Sequence, residues 1–115
     1  MSTGHSLQSD AGSFPIVGVV GTAAQEESRA HRAIASHAAE LSPITALTKE
    51  LFEEPVSYEW EYDPENPREE WIVFHCGAKG GFADWRDRFY EWHERLRTMF
   101  PEAWDFYRLN VVPHG

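Results

Sequence analysis

Six histidines, one cysteine and a glycine-rich loop are the residues of this chain whose types could do chemistry. His31 and His37 stand six apart. Two ligands on one helix face want a separation of three or four, so this spacing opposes a metal site on the helix that carries them. His75 and Cys76 are neighbours in an apolar run that reads as a strand, where successive side chains point to opposite faces. They therefore cannot share one ion or form a thiolate–imidazole pair. A nucleophilic Cys76 would need its pKa lowered, by Lys79, by His75 or by the start of the following helix. The reading we favour is a small buried apolar residue beneath Trp85 and Phe89.

The stretch Gly77-Ala78-Lys79-Gly80-Gly81 precedes a helix and offers free amides to an anion. A phosphate-binding loop would continue from its lysine into Ser or Thr, whereas Lys79 is followed by Gly80, Gly81 and Phe82. It reads as a flexible connection. His93, with Asp87, Glu91 and Glu94 nearby, has the residue types for acid–base work, but it lies on a solvated helix face where nothing excludes water. No metal and no cofactor are expected. If the chain does hold a small ligand, the candidate pocket is His75, Cys76, Lys79 and His93.

The elements that position these residues follow from periodicity. Thr22 can cap a helix to about Leu41, with Ala30, Ile34, Ala38 and Leu41 on a narrow stripe. Ser42-Pro43 starts a second helix, with Ser as the cap and Pro at the first position; Ile44, Leu47 and Leu51 share its face until Pro55 stops it. Val56 to Tyr62 alternates, with Val56, Tyr58, Trp60 and Tyr62 on one side and Ser57, Glu59 and Glu61 on the other. Asp63 to Pro67 is a turn by composition. Glu70 to Cys76 is apolar enough to be a central strand covered on both faces.

Phe82 to Phe100 is the clearest helix. Phe82, Trp85, Phe89, Trp92, Leu96 and Met99 form one wide stripe, opposite Asp84–Arg88 and Glu91–Arg95 pairs. Asp105 to Val112 makes a last strand with Tyr107, Leu109 and Val111 inward. The order is β-β-α-β, a small α+β two-layer sandwich: an antiparallel hairpin plus one strand, packed on an aromatic amphipathic helix. Two short helices and a disordered N-terminal tail precede it. The divisions are 1–21 as a disordered or partner-ordered arm, 22–55 as two weakly apolar helices, and 56–115 as the aromatic domain.

Composition sharpens that division. The chain has seven Phe, five Trp and four Tyr, and all but Phe14 fall between Phe52 and Tyr107. Aromatics carry the most apolar area per residue, so the core must be built from the second half. A domain of about sixty residues is marginal alone, and a single cysteine excludes an internal disulfide. Help must come from the N-terminal helices or from another chain.

The formal charge of −9 is concentrated between Glu53 and Glu70, where Arg68 is the only base. That disfavours nucleic acid, which needs clustered Lys and Arg. The Phe14–Ala24 stretch has no basic residue before it and is too short to span a bilayer, so no membrane is expected. A lone thiol fits a reducing compartment, and the expected location is the cytoplasm.

These features converge on a non-enzymatic interaction module: an accessory subunit, adaptor or antitoxin-like inhibitor. Its partner would be another protein with a basic surface, or a second copy of the chain. The partner would be met by an acidic face of Glu59, Glu61, Asp63, Glu65 and Glu69, and by Phe14, Ile16, Val17 and Val19 of the arm. The alternative is a small enzyme or ligand-binding domain using the pocket near His75, Cys76 and Lys79.

Overall fold

The computed structural model describes residues 17–114, with side chains from Ala23 onward. In chain order these form helix α1 (Val17–Ser36), helix α2 (Ala38–Leu51), strand β1 (Glu53–Asp63), strand β2 (Asn66–Lys79), helix α3 (Phe82–Met99), a 3-10 turn (Trp104–Phe106) and strand β3 (Tyr107–His114). The sheet order is β1-β2-β3. The β1–β2 hairpin is antiparallel and β3 pairs parallel to β2. This is an α+β fold with β2 at its centre. The expected tail of residues 1–13, with Phe14 and Ile16, lies outside the described residues.

The first helix starts earlier and ends earlier than its spacing predicts. It begins at Val17, so Val17 and Val19, expected in the arm of residues 1–21, are helical. Once a helix is nucleated, each added residue brings one hydrogen bond, so it can propagate through weak formers. It breaks at His37, not after Leu41. The His37 backbone sits at φ −106°, ψ 12°, and tertiary contacts hold the ring there. It stacks on Phe106 with centroids 4.2 Å apart, and its Nδ1 lies 2.9 Å from Glu40 Oε1 and 3.0 Å from the Tyr107 hydroxyl. Glu40 is local, but Phe106 and Tyr107 lie about seventy positions downstream, beyond the reach of a local pattern.

The second helix consequently starts at Ala38 and carries Pro43 inside it, so Ser42 is not its cap. Proline there removes one intrahelical donor, a cost the buried face must offset. That face is Leu41, Ile44, Leu47, Thr48 and Leu51. It joins Ile72, Phe74, Cys76 and Ala78 of β2, Trp85, Trp92 and Leu96 of α3, and Tyr107 of β3 in a single core cluster. The weakly apolar helix is thus an integral wall of the aromatic core.

Trp92 is wholly buried at the centre, and its indole N–H donates to Thr48 Oγ1 at 2.9 Å. The Thr48 hydroxyl in turn donates to the Ile44 carbonyl at 2.7 Å. A polar indole edge is thereby satisfied in an apolar interior, as burial of such a group requires. The expected stripe on α3 is narrower than its spacing implies, since Phe82 and Met99 are exposed. The anticipated Asp84–Arg88 pair is replaced by two backbone contacts. Asp84 Oδ2 accepts from the Gly81 N–H at 2.8 Å, and Arg88 donates to the Leu51 carbonyl at 3.2 Å, closing the end of α2. Gly80, at φ 81°, is held tightly here, because a Cβ would lie 2.2 Å from the Asp84 carboxylate. The Glu91–Arg95 pair is present at 3.3 Å, with Glu50 of α2 as a second partner at 2.6 Å.

Both strands of the hairpin are longer than their alternation shows. β1 begins at Glu53 and takes in Pro55, which sits on an edge strand where no ladder donor is required of it. β2 begins at Asn66 and runs through Gly77, Ala78 and Lys79, so the expected loop is confined to Gly80 and Gly81. The register shifts near both ends of the pair, between Glu53 and Ser57 and between Tyr62 and Asp63. β3 starts at Tyr107, because Trp104–Phe106 closes into a 3-10 turn.

Candidate functional site

The register assigns every sheet residue to one of two faces. Trp60, Ile72, Phe74, Cys76, Tyr107, Leu109 and Val111 fall on the face that meets the helices. Glu59, Glu61, Trp71, Val73, His75, Arg108 and Asn110 fall on the other. Among the described residues the helices pack on the first face. Among the described residues the central strand is therefore covered by helices on one side only, and its near-continuous apolarity has a different cause. Val73 is 7% exposed because the long side chains around it on the open face close over it.

Those side chains form three paired groups along the face. His75 Nε2 lies 2.9 Å from Glu59 Oε2, and the Asn110 amide lies 3.0 Å from His75 Nδ1. The three residues thus bridge β1, β2 and β3 in one row. One step along, the Trp71 indole donates to Glu61 Oε1 at 3.3 Å, and the Arg108 guanidinium stacks 3.7 Å from the centre of the Trp71 ring. At the far end, His114 Nε2 pairs with Glu53 Oε1 at 3.2 Å. Its ring can lie close over β2 because residue 77 is glycine: a Cβ there would come within 3.1 Å of it.

Charge is unevenly spread over this face. Carboxylates line the β1 edge, through Glu53, Glu59 and Glu61, while β3 carries Arg108 and His114. Glu65 in the hairpin turn and Glu69 on β2 are exposed. Asp63 is only partly so, and its Oδ1 accepts from the Glu65 N–H at 2.9 Å, fixing the turn. The five acids of the expected acidic face therefore divide. Glu65 and Glu69 extend into solvent, whereas Glu59, Glu61 and Asp63 are half-buried and hydrogen-bonded.

The alternative pocket residues do not converge. His75 is on the open face and Cys76 on the core face, as strand geometry requires. Lys79 is exposed at the end of β2. His93 is on α3, which packs against the core face, with its Nδ1 2.8 Å from the Phe89 carbonyl. Burial pushes the Cys76 thiol up to about 12, against a smaller opposing effect of Arg88. A thiol with so little thiolate at neutral pH is a poor nucleophile. The space between α3 and the sheet is filled by Trp92, Phe74 and Leu96, none of which is exposed.

A second polar cluster, at the α1–α2 break, is structural in character. Burial raises the Tyr107 hydroxyl, and its hydrogen bond to Glu40 raises it further. Partial burial pushes Glu40 up, but hydrogen bonds from Tyr107 and His37 outweigh it and leave the carboxyl below its usual range.

The pairing of Glu59, Glu61 and His75 is what sequence reasoning missed. Alternation places Glu59 and Glu61 on one side of β1, but only the register brings His75 of the neighbouring strand beside them. No family model matches the chain, nor does any curated protein or solved structure. No helix among the described residues is long and apolar enough to cross a membrane.

Proposed function

We propose that this protein is a protein–protein interaction module, an accessory or inhibitory subunit that meets a basic partner through the open face of its sheet and the acidic hairpin beside it. One observation carries the reading. Among the described residues the sheet has helices on one side only, and its other side presents a half-exposed set of paired side chains with carboxylates along β1, followed by Glu65 in the hairpin turn and Glu69 on β2. Side chains already held by neighbours lose less freedom on docking than mobile ones, which favours association. The filled space between α3 and the sheet supports the same reading, since it leaves no room there for a substrate. The arm contribution of Phe14 and Ile16 belongs to the proposal as a separate element.

The test is capture from a lysate of the source organism at several salt concentrations. The wild-type chain is expected to retain a basic protein at low salt and release it as salt rises. A variant with Glu65 and Glu69 changed to Lys should retain much less. Identical capture by both chains would contradict the reading.

A further inference from the structure

We propose that Glu59, Glu61 and His75 form a binding site for a divalent transition-metal ion, best suited to Zn²⁺, on the open face of the sheet. Two carboxylates and one imidazole each offer a ligand atom here, and those atoms lie within 4.8 Å of one another. In a tetrahedral zinc site, ligand atoms about 2.0–2.1 Å from the ion stand roughly 3.4 Å apart. The contact between Glu59 Oε2 and His75 Nε2, at 2.9 Å, is already shorter than that. The other separations, up to 4.8 Å, must close by as much as about 1.4 Å, and that movement falls on glutamate side chains, which have rotatable bonds to spare, with Glu61 turning from its contact to Trp71. Strand geometry supplies the rest: Glu59 and Glu61 project from one side of β1, and the register sets His75 diagonally beside Glu59.

The site also has an orienting group. The Asn110 amide meets His75 Nδ1 at 3.0 Å, the outer-shell contact that fixes the ring of a metal-binding histidine. With the Asn110 oxygen turned toward Nδ1, that nitrogen carries the imidazole proton and the Nε2 lone pair faces the two carboxylates. With the amide nitrogen turned toward Nδ1, Nε2 carries the proton and donates to Glu59. Metal binding selects the first arrangement, by a rotation of the Asn110 amide and a shift of one proton from Nε2 to Nδ1. Asn110 is accordingly a positioning residue.

The ligand set also selects the ion. Imidazole with carboxylates suits Zn²⁺, Mn²⁺ or Co²⁺, whereas Ca²⁺ and Mg²⁺ favour oxygen alone and Cu⁺ favours sulfur. Cys76, the only thiol, points to the opposite face. Three protein ligands at a half-exposed surface leave a fourth position for water or for a group from a partner. The proposal does not rest on the partner reading, because it concerns the isolated chain.

The test uses the full chain, stripped with EDTA and titrated with Zn²⁺ by calorimetry. Imidazole ¹⁵N resonances are followed in parallel by NMR. One ion per chain is expected, with the His75 Nε2 resonance moving and the imidazole proton residing on Nδ1 in the bound state. Glu61→Gln and His75→Gln should each weaken binding by more than about ten-fold, and Asn110→Ala by about ten-fold or more. His114→Gln, which alters the other His–Glu pair on this face, should leave it unchanged. Circular dichroism melts confirm that each variant is folded, and the wild-type NMR readout needs no substitution. Failure of the wild-type chain to take up zinc, an unmoved His75 resonance, or binding that survives Glu61→Gln or His75→Gln unchanged would overturn the proposal.

Discussion

Two faces of one strand separate the parts of this molecule that hold it together from the parts that can meet something else. On β2, Ile72, Phe74 and Ala78 have no exposure and Cys76 has 3%. The intervening Trp71 and His75 are half-exposed. The first set is held by apolar burial against α2 and α3. The second is held by hydrogen bonds and a stacked guanidinium within the sheet itself. Since burial of a large apolar side chain contributes about 1.5–3 kcal/mol and an exposed ion pair about 0–1, the core face supplies most of the stability. The open face is energetically free to be specialised, and its order comes from local pairing.

The difference between the faces can be broken most directly at Trp92. Trp92→Ala should cost about 3–5 kcal/mol by opening a cavity, a large part of the stability of a domain this size. It also strips Thr48 of its indole donor. Trp71→Ala on the open face should cost far less, and urea titrations of the two variants measure the contrast. Equal losses would show that the open face is also core.

Tyr107→Phe should cost about 1–2 kcal/mol, because it leaves the half-buried Glu40 carboxylate without its phenolic donor. This sharpens the comparison by showing that polar contacts matter most where they are buried. Its readout is the same denaturant midpoint.

A weaker effect follows from Cys76. Its thiol titrates near 12 in the folded chain against an ordinary 9.0. Below about 9 the group is neutral in both states and takes nothing from stability. Between 9 and 12 the unfolded chain ionises while the folded one does not, so stability falls as pH rises through that window. The raised Tyr107 hydroxyl adds to the alkaline loss. Cys76→Ala should flatten the decline between pH 9 and 11, read from unfolding midpoints; an unaltered slope would mean the thiol is not held on the closed side.

Smallest of all on folding should be the reversal of Glu65 and Glu69 to Lys, within about 0.5 kcal/mol each. The same variant should associate more slowly with a basic partner at low salt, seen in binding kinetics. A loss of folding would place these acids in the supporting structure.

Much of this arrangement is legible in the residues. The spacing of Trp85, Phe89, Trp92 and Leu96 finds the inner side of α3, and alternation finds the inward set of β3. Tyr107, Leu109 and Val111 do pair with Ile72, Phe74 and Cys76. What is not legible has a common cause in long-range contacts. The break at His37 is set by Phe106 and Tyr107, far down the chain. The company of His75 depends on a register that shifts at both ends of the pair, between Glu53 and Ser57 and between Tyr62 and Asp63. A slip of one residue would turn Glu59 and Glu61 toward the helices, so no reading of either strand alone could join them to His75. The run Glu70–Cys76 is apolar enough to pass for a strand covered on both sides. Only the placement of the helices shows that Val73 is sheltered by its own neighbours.

Adjacent positions on β2 give the most direct test of the two-faced sheet. A thiol probe is applied at neutral pH to the native protein, whose only thiol is Cys76, and to a variant combining His75→Cys with Cys76→Ser. The thiol at position 75 should label at least about ten-fold faster than the one at position 76, and denaturant should remove the difference. Equal rates in the folded proteins would contradict the assignment of one closed and one open face, and with it the surface on which both proposed sites depend.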